Sequence, residues 1–328
     1  MGAVGEVNVL CLSKVSDEAA WAIEQVGLDT GTRVKVLRAP SREEAEQLIA
    51  EADVVYGTRL TPEAFARARR LRWIHAPAVG VDRLLHPALV QSPVLLTCSR
   101  GLHAHSLSEH VFALMLALSR RLPEFWADHS ARRWQRREGE VLAGATLLVV
   151  GLGAVGSRVA ALGHAFGMRV LGVKRDPRVP VGGEGWIPVD EMGGPADLLT
   201  MLRRADWVVL CVPLTPATHR LMGRAQLEAM KPTSYLINVA RGEVVDEAAL
   251  VEALRTGRIA GAGLDVFSQE PLPSDSVLWE LPNVVLTPHI GGSMIDYEGK
   301  ALQMFLDNLR RFLRGEPLQN VVKKDLSY

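Results

Sequence analysis

Three polar side chains of this sequence are each the first strong polar group after an apolar run: Arg241, Glu270 and His289. An imidazole can donate a proton near neutral pH, and a carboxylate bonded to its other ring nitrogen would orient the ring. A guanidinium offers a planar fork of donors for a carboxylate. Taken singly, the three have ordinary explanations: a helix-capping arginine, a surface glutamate before proline and a histidine whose nitrogens are satisfied. Taken together, they predict a site that holds an acid by its carboxylate and protonates a neighbouring carbonyl oxygen.

A glycine-rich turn at residues 151–156 predicts where a dinucleotide binds. It reads Gly-Leu-Gly-Ala-Val-Gly and follows the apolar run 145–150, and a helical pattern and a second apolar run at 169–173 come after it. In this context the first glycine permits the turn, the second lets backbone N–H groups approach a pyrophosphate and the third allows close helix packing. A glycine turn without a ligand is the alternative. The predicted cofactor contacts in the turn are Gly151, Gly153, Ala154, Val155 and Gly156.

The end of the second apolar run indicates which dinucleotide binds. An NAD site usually has Asp or Glu about 20 residues after the glycines, whereas a basic residue accommodates the 2′-phosphate of NADP. Here Lys174 and Arg175 occupy that place, and Asp176 follows them. We therefore predict that Lys174 and Arg175 contact NADP. NAD is the alternative because Asp176 could still reach a ribose. A second alternative is that the two basic residues belong to an ordinary solvated loop that contacts no ligand.

Apolar runs alternate with helical patterns on both sides of this unit, which predicts parallel sheets covered by helices. Before it, the runs are 7–12, 33–37, 53–57, 72–76 and 93–97, with helical patterns at 16–27, 41–51 and 61–70. After it, they are 206–212, 235–239, 262–267 and 284–287, and an amphipathic helix is predicted at 294–313. Ligands bind beyond the carboxyl ends of such strands, so the polar segments there should converge on the dinucleotide. With a reduced nicotinamide at that edge, Arg241, Glu270 and His289 predict a 2-keto acid reductase.

Three other features have plainer interpretations, which we prefer. The run 106–119 is apolar nearly all round and predicts a helix buried at a domain or subunit junction. The basic run 132–137 predicts a solvated helix face with a packed tryptophan rather than a nucleic-acid site. His103, His105 and His110 lack the spacing of metal ligands, so no metal site is predicted.

Composition limits the class of protein. The 328 residues carry no formal net charge, which gives no general attraction to nucleic acid or to an anionic membrane, and they suffice for two domains. No apolar stretch reaches membrane-spanning length, and the first six residues lack a signal-peptide profile. Cys11, Cys98 and Cys211 lie in apolar runs, as reduced, buried thiols of a cytoplasmic protein would. We therefore predict a cytoplasmic protein without nucleic-acid or membrane partners.

Five segments match, in order and spacing, the motifs of one known family. They are 151–156, 210–218, 238–242, 264–267 with 270–271, and 287–292. Through them the sequence resembles the D-isomer-specific 2-hydroxyacid dehydrogenases over essentially its whole length. The resemblance implies that Arg241 binds the substrate, that His289 is the acid/base and that Glu270 is its partner. It also implies a small 2-keto or 2-hydroxy acid as substrate, and a homodimer built on the apolar helix near residue 110.

The resemblance implies the remaining ligand contacts and the domain plan as well. The further cofactor contacts are Val212, Pro213, Thr218, Val239, Ala240, Gly291 and Asp265, of which Asp265 holds the nicotinamide carboxamide. Ala78, Val79 and Gly80 cradle the substrate carboxylate. The expected fold class is α/β with two doubly wound parallel-sheet domains. A Rossmann cofactor domain, 101–292, is inserted into a split, flavodoxin-like substrate domain formed by 1–100 and 293–328.

Departures from the family pattern favour the glyoxylate/hydroxypyruvate reductase-like branch. Lys174 stands where NAD-using relatives commonly carry Asp, and relatives that use glyoxylate or hydroxypyruvate often have such basic residues. Glu270 differs from the glutamine of the formate dehydrogenase-like branch. Two alternatives stay open: a 3-phosphoglycerate or other D-2-hydroxyacid dehydrogenase that uses NAD, and a non-catalytic NAD(P)-sensing interaction protein, because a fold alone does not decide activity.

Overall fold

The structure, a computed structural model, describes residues 5–12, 15–39, 41–178 and 189–326. Its internal contacts divide the chain into two units. The first unit is Met1–Leu102 together with Met294–Tyr328, and the second is His103–Ser293. The domain boundaries expected from the sequence lie between 100 and 101 and between 292 and 293. The expectation of no signal peptide concerns a segment whose residues 1–4 lie outside the described part.

The first unit has a parallel sheet whose strands are apolar because both of its faces are covered. Among the described residues of this unit, the strands are β1 (Glu6–Cys11), β2 (Arg33–Arg38), β3 (Val54–Tyr56), β4 (Trp73–Ala76) and β5 (Leu95–Cys98). The helices between them are α1 (Asp17–Thr30), α2 (Arg42–Leu48), α3 (Pro62–Arg67) and α4 (Pro87–Gln91). The strand order β2-β1-β3-β4-β5 is the flavodoxin-like order. Successive residues such as Val54 and Val55 belong to different apolar cores, as the alternation along a strand requires.

The second unit has a longer parallel sheet. In its described part, the strands are β6 (Thr146–Val150), β7 (Arg169–Val173), β8 (Glu191–Gly193), β9 (Trp207–Leu210), β10 (Tyr235–Asn238), β11 (Gly261–Leu264) and β12 (Val284–Leu286). The helices are α5 (Ala104–Ser119), α6 (Leu122–Ser130), α7 (Ala154–Ala165), α8 (Leu198–Leu202), α9 (Arg224–Ala229) and α10 (Glu247–Arg255). The order β8-β7-β6-β9-β10-β11 is that of a Rossmann sheet, and β12 extends it. The carboxyl ends of β10, β11 and β12 are therefore neighbours.

The expected fold class, two doubly wound parallel-sheet α/β domains, is confirmed. Local differences remain. Helix α5 begins at Ala104 rather than at residue 106, because the Ser106 hydroxyl donates to the His103 carbonyl instead of capping the helix. Strand β8 was not expected, since three residues are too few to show a periodic pattern.

The prediction for the basic run 132–137 is wrong. The run is not a helix: α6 ends before it, and its first residue has a left-handed backbone with a φ of 54°. The carboxylate of Asp128, which is almost fully buried, accepts hydrogen bonds from the side chains of Arg133 and Arg137. These bonds turn the chain back toward α6 instead of extending the helix. Trp134 is 94% exposed rather than packed.

The end of the chain completes the first unit. Helix α11 (Tyr297–Arg314) packs Phe305 and Leu309 into the core that contains Trp73. After the helix, the Val322 N–H donates to the Leu96 carbonyl of β5 over 2.8 Å. The tail thereby covers part of a strand edge that would otherwise present unpaired backbone groups.

A buried histidine, His75 on β4, lies inside the first unit. Its Nδ1 is 2.8 Å from the Thr97 hydroxyl oxygen, and Trp73 Nε1 donates to the same oxygen over 2.8 Å. The Thr97 hydroxyl therefore accepts from the indole and also shares a hydrogen bond with the imidazole. Burial lowers the pKa of His75 from 6.5 to about 3, so the imidazole is neutral at neutral pH.

Acid is expected to destabilise the protein through His75. Below pH 6.5 this histidine is protonated in the unfolded chain, whereas in the folded chain it stays neutral down to about pH 3. The free energy of unfolding therefore falls as the pH is lowered across that window. Between about pH 7.5 and about pH 5, the free energy of unfolding should fall by ~2 kcal/mol from this residue alone. Urea-induced unfolding at both pH values measures the loss, and His75→Gln should remove that part of it. An equal loss in the wild type and in His75→Gln would contradict the assignment.

Candidate active site

The glycine-rich turn at 151–156 has the geometry of an anion site. Gly151 has a φ of +99°, and a Cβ on Gly156 would lie 1.9 Å from the Gly151 carbonyl oxygen, so helix α7 can approach only because no side chain is there. A Cβ on Gly153 would meet no atom within 4 Å. No side chain caps the N-terminus of α7, and Gly153 and Ala154 are exposed there. The first N–H groups of the helix are thus suited to a pyrophosphate, as expected from the sequence.

A charge pair occupies the end of β7. Lys174 and Arg175 follow the strand as expected, and Arg175 is exposed. The carboxylate of Asp176 accepts from Arg178 Nε over 2.9 Å and from Arg178 Nη2 over 3.0 Å. The hydrogen bonds from Arg178 lower the pKa of Asp176. The acid that could have held an adenosine ribose is therefore already engaged, by an arginine that the sequence reasoning did not single out.

The segments after β9 and β10 carry five further expected cofactor contacts. Val212 and Pro213 follow β9, and the Thr218 hydroxyl closes their loop by donating to the Pro213 carbonyl over 2.6 Å. Val239 and Ala240 follow β10 and are buried. All five lie in the second unit, after strands of the same sheet as the glycine-rich turn.

His289 and Glu270 form a pair. His289 Nδ1 is 2.8 Å from Glu270 Oε2, and the other carboxylate oxygen accepts from the Phe267 N–H over 3.1 Å. A carboxylate only accepts, so the hydrogen lies on Nδ1. Nε2 is then the nitrogen that can pass a proton to a ligand. The imidazole side chain is 47% exposed, as a group that must meet a small molecule has to be.

Arg241 is positioned by a buried asparagine that the sequence reasoning did not single out. Asn238 is 1% exposed; its amide nitrogen donates to the Arg241 carbonyl over 2.9 Å, and its amide oxygen accepts from the Ala240 N–H over 3.1 Å. The next residue, Gly242, touches the loop that leads to Glu270: a Cβ there would lie 1.9 Å from the Phe267 carbonyl carbon. The loops that carry Arg241 and Glu270 can therefore meet only because residue 242 is glycine.

Asp265 organises the segment that carries His289, residues 287–292, which we call the His289 loop. The Asp265 carboxylate is 1% exposed and accepts from the N–H groups of Ile290 and Gly291, each over 2.9 Å. It also accepts from the Thr287 hydroxyl over 2.6 Å. The N–H of Gly291, an expected cofactor contact, is thus bonded within the chain. The expected bond between Asp265 and the nicotinamide carboxamide stays a prediction.

His103 lies close to the same groups. Its Nδ1 donates to the Gly292 carbonyl over 2.9 Å. Burial lowers the pKa of His103, the bond to Gly292 opposes that shift, and the positive charges of Arg241 and His289 lower the pKa further. The Arg241 and His289 side chains therefore both influence the His103 imidazole electrostatically.

The expected substrate cradle lies in the first unit. Ala78, Val79 and Gly80 follow β4 and are half-buried. The Ala78 carbonyl accepts from the Ser99 N–H over 2.9 Å, and the Tyr297 hydroxyl donates to the preceding Pro77 carbonyl over 2.6 Å. These bonds fix the carbonyls of the turn.

Two properties of the described residues bear on other functions. Within that part of the chain, no three His, Cys, Asp or Glu residues are grouped closely enough to hold a metal ion. The helices that the structure describes include none with the length and apolar character to cross a membrane.

Comparison with known proteins identifies the family. The sequence model described as D-isomer specific 2-hydroxyacid dehydrogenase, NAD binding domain, matches residues 112–291, more than half of the chain. The chain belongs to the D-isomer specific 2-hydroxyacid dehydrogenase family. This confirms the expected family and its class, oxidoreductases that act on CH–OH groups with NAD(P). It also confirms a nicotinamide dinucleotide as the class of cofactor.

Individual members of the family are similar over most of this chain. The glyoxylate reductase of Korarchaeum cryptofilum is 34% identical over 88% of this chain and 87% of its own length. The D-3-phosphoglycerate dehydrogenase of Methanocaldococcus jannaschii is 35% identical over 96% of this chain, which spans only 59% of that relative. The crystal structure of a D-isomer specific 2-hydroxyacid dehydrogenase from Xanthobacter autotrophicus Py2, in complex with NADPH and MES, is 32% identical, has a TM-score of 0.81, and covers 98% of this chain and 99% of that one.

Alanine substitutions at two glycines are expected to separate dinucleotide binding from folding. Gly156→Ala should lower the free energy of unfolding by about 1–3 kcal/mol, because its Cβ overlaps the Gly151 carbonyl. Gly153→Ala should keep the wild-type melting temperature and weaken dinucleotide binding about tenfold, because its Cβ points into the space that a pyrophosphate would enter. Thermal unfolding and fluorescence titration with NADPH measure the two effects. Wild-type affinity in Gly153→Ala would show that the dinucleotide binds elsewhere.

Proposed function

We propose that this protein reduces a small 2-keto acid, such as glyoxylate or hydroxypyruvate, to the D-2-hydroxy acid with NADPH. The observation that carries the proposal is the 2.8 Å hydrogen bond between His289 Nδ1 and Glu270, in the same unit as Arg241 and the glycine-rich turn. This pair leaves Nε2 to deliver a proton. The Arg241 guanidinium, in the same unit, supplies the partner for the acid group of the substrate.

The chemistry follows from these side chains. Arg241 binds the substrate carboxylate and fixes the adjacent carbonyl. A reduced nicotinamide, when bound, supplies the hydride that the carbonyl carbon receives. His289 gives the proton on Nε2 to the carbonyl oxygen as negative charge develops there, and Glu270 keeps the remaining hydrogen on Nδ1. General acid catalysis of this kind contributes ~10²–10⁴-fold to a rate.

The preference for NADPH over NADH rests on the end of β7. Lys174 and Arg175 supply positive charge for a 2′-phosphate, and Arg178 engages the Asp176 carboxylate that would otherwise repel it. The similar structure from Xanthobacter autotrophicus Py2 holds NADPH, which supports the same choice. NAD is the alternative.

The choice of a small keto acid as substrate is based on the similar proteins. Both a glyoxylate reductase and a D-3-phosphoglycerate dehydrogenase are about one-third identical to the chain, and the chain spans more of the former. The glyoxylate reductase-like activity is therefore favoured, with the NAD-dependent phosphoglycerate activity as the alternative. The roles of Ala78, Val79 and Gly80 in binding the substrate carboxylate, and of residues 1–100 with 293–328 as the substrate domain, are part of the proposal.

The proposal includes a cytoplasmic homodimer. The thiols of Cys11, Cys98 and Cys211 are free, as in a reducing compartment. Helix α5, on which the sequence suggested the dimer would be built, uses most of its apolar side chains inside the second unit. Exposed apolar surface for a second copy is instead available at Trp126 and Trp134, which are 58% and 94% exposed.

Steady-state oxidation of NADPH and of NADH by the wild type and by His289→Asn tests the proposal. The substrates are glyoxylate, hydroxypyruvate, pyruvate, 3-phosphohydroxypyruvate and a bulky 2-keto acid. The wild type should turn over a small keto acid and prefer NADPH. His289→Asn should lose at least about a hundredfold in kcat while it still binds NADPH, because the proton donor is gone but the dinucleotide site is intact.

Each other outcome has a distinct meaning. Full activity in His289→Asn would refute the assigned role of the imidazole. A preference for NADH would refute the role of Lys174 and Arg175 but not the keto-acid chemistry. Dinucleotide binding without turnover of any keto acid would favour the interaction-protein alternative.

A further inference from the structure

Helix α5 crosses the end of β11 at close range. Gly263 of β11 makes room for Leu114 of α5, since a Cβ on the glycine would lie 3.0 Å from the Leu114 Cβ. His110 lies one turn before Leu114 on the same helix face, and Asp265 lies two residues beyond Gly263. The four-residue helical spacing spans about 6 Å and two strand residues span about 6.5 Å, so the two distances match. The packing of Leu114 against Gly263 therefore also brings His110 close to Asp265.

The hydrogen bonds at this crossing can be assigned. His110 Nε2 is 2.9 Å from the Thr287 hydroxyl oxygen and 3.3 Å from Asp265 Oδ1. The Thr287 hydroxyl has one hydrogen and donates it to Asp265 over 2.6 Å. The hydroxyl cannot also donate to His110, so Nε2 must carry a hydrogen and act as the donor. His110 is a donor to a network that ends on a buried carboxylate.

This network holds the His289 loop. His289 has a left-handed backbone with a φ of 53°, which is unfavourable for a residue with a side chain. The His289 N–H donates to the Asp265 carbonyl over 2.8 Å, and the two residues after it donate to the Asp265 carboxylate. Burial alone would raise the pKa of Asp265, but the bonds from His110, Thr287 and the loop hold it below its usual value. Loss of one donor therefore weakens the anchor of the strained segment.

We propose that His110 is a positioning residue: its hydrogen bonds to Thr287 and Asp265 fix the His289 loop in the conformation from which His289 donates its proton. The kinetic consequence of this role rests on the proposed function. The geometric part, that His110 sets the conformation of His289, is independent of the substrate.

Three variants of α5 test the proposal by steady-state kinetics with NADPH and the best keto acid. His110→Phe keeps a ring of similar size but removes the donor, so kcat should fall about ten- to hundredfold while KM for both ligands changes little. His110→Gln retains an N–H donor and should recover most of kcat. His105→Phe alters an exposed histidine on the same helix and should behave like the wild type. Thr287→Val removes the bridging hydroxyl but keeps the shape of the side chain, so it should lower kcat as His110→Phe does. It replaces His110→Phe in the test if that variant does not fold.

A second readout does not need turnover. In protein labelled with ¹⁵N-histidine, the His289 Nδ1–H that is bonded to Glu270 should give a resolved NMR signal in the wild type and in His110→Gln. The signal should broaden or disappear in His110→Phe and in Thr287→Val. An unchanged His289 signal together with wild-type kcat in these two variants would overturn the proposal. A wild-type protein without any turnover would refute the proposed function, and the NMR comparison would still decide the role of His110.

Discussion

The carboxylate of Asp265 is a buried negative charge at the end of β11, and the candidate active site depends on how the chain satisfies it. An unpaired charge in such a place would cost several kcal/mol. Donors come from two N–H groups and the Thr287 hydroxyl of the His289 loop, and from His110. Because the loop must deliver its N–H groups to this one acceptor, it has little freedom, and His289 is held in a backbone conformation that it would not adopt alone.

The sheet makes this arrangement possible. Because β10, β11 and β12 are parallel neighbours, their carboxyl ends lie at one edge, and the segments that follow carry Arg241, Glu270 and His289 in turn. Glycine permits the close approaches: residue 242 lets two of these loops meet, and residue 263 lets α5 lie against the strand. The same sheet positions the glycine-rich turn after β6.

The parallel α/β fold class is confirmed, and its strands, the glycine-rich turn and the candidate site residues could be proposed from the sequence because their signals are local. Apolar runs of strand length, a glycine turn between a strand and a helix, and one strong polar group after each strand are visible without coordinates. The donor role of His110 could not be predicted in this way. A histidine on an apolar helix has the same pattern whether it fills space or bonds a distant carboxylate, and its partners Asp265 and Thr287 are more than 150 residues away.

Other errors have the same origin. The expected helix at 132–137 fails because Asp128 binds two arginines of that run, and the pairing competes with helix formation in a way that charge counting does not reveal. Arg178 was missed because its importance comes from the Asp176 carboxylate that it engages, not from its place in a motif. In each case the charged residues are visible in the sequence, but the folded chain decides which of them pair with each other.

We propose that a loop anchored on Asp265 presents His289 Nε2 to the carbonyl oxygen of a 2-keto acid. The most direct measurement is a crystal structure of the protein with NADP and oxamate, an unreactive 2-keto acid analogue. In the complex, His289 Nε2 should lie about 3 Å from the amide carbonyl oxygen of oxamate, Arg241 should bind its carboxylate, and the bonds between Asp265 and the loop should be intact. Oxamate bound away from His289, or a His289 loop released from Asp265 in the complex, would contradict it.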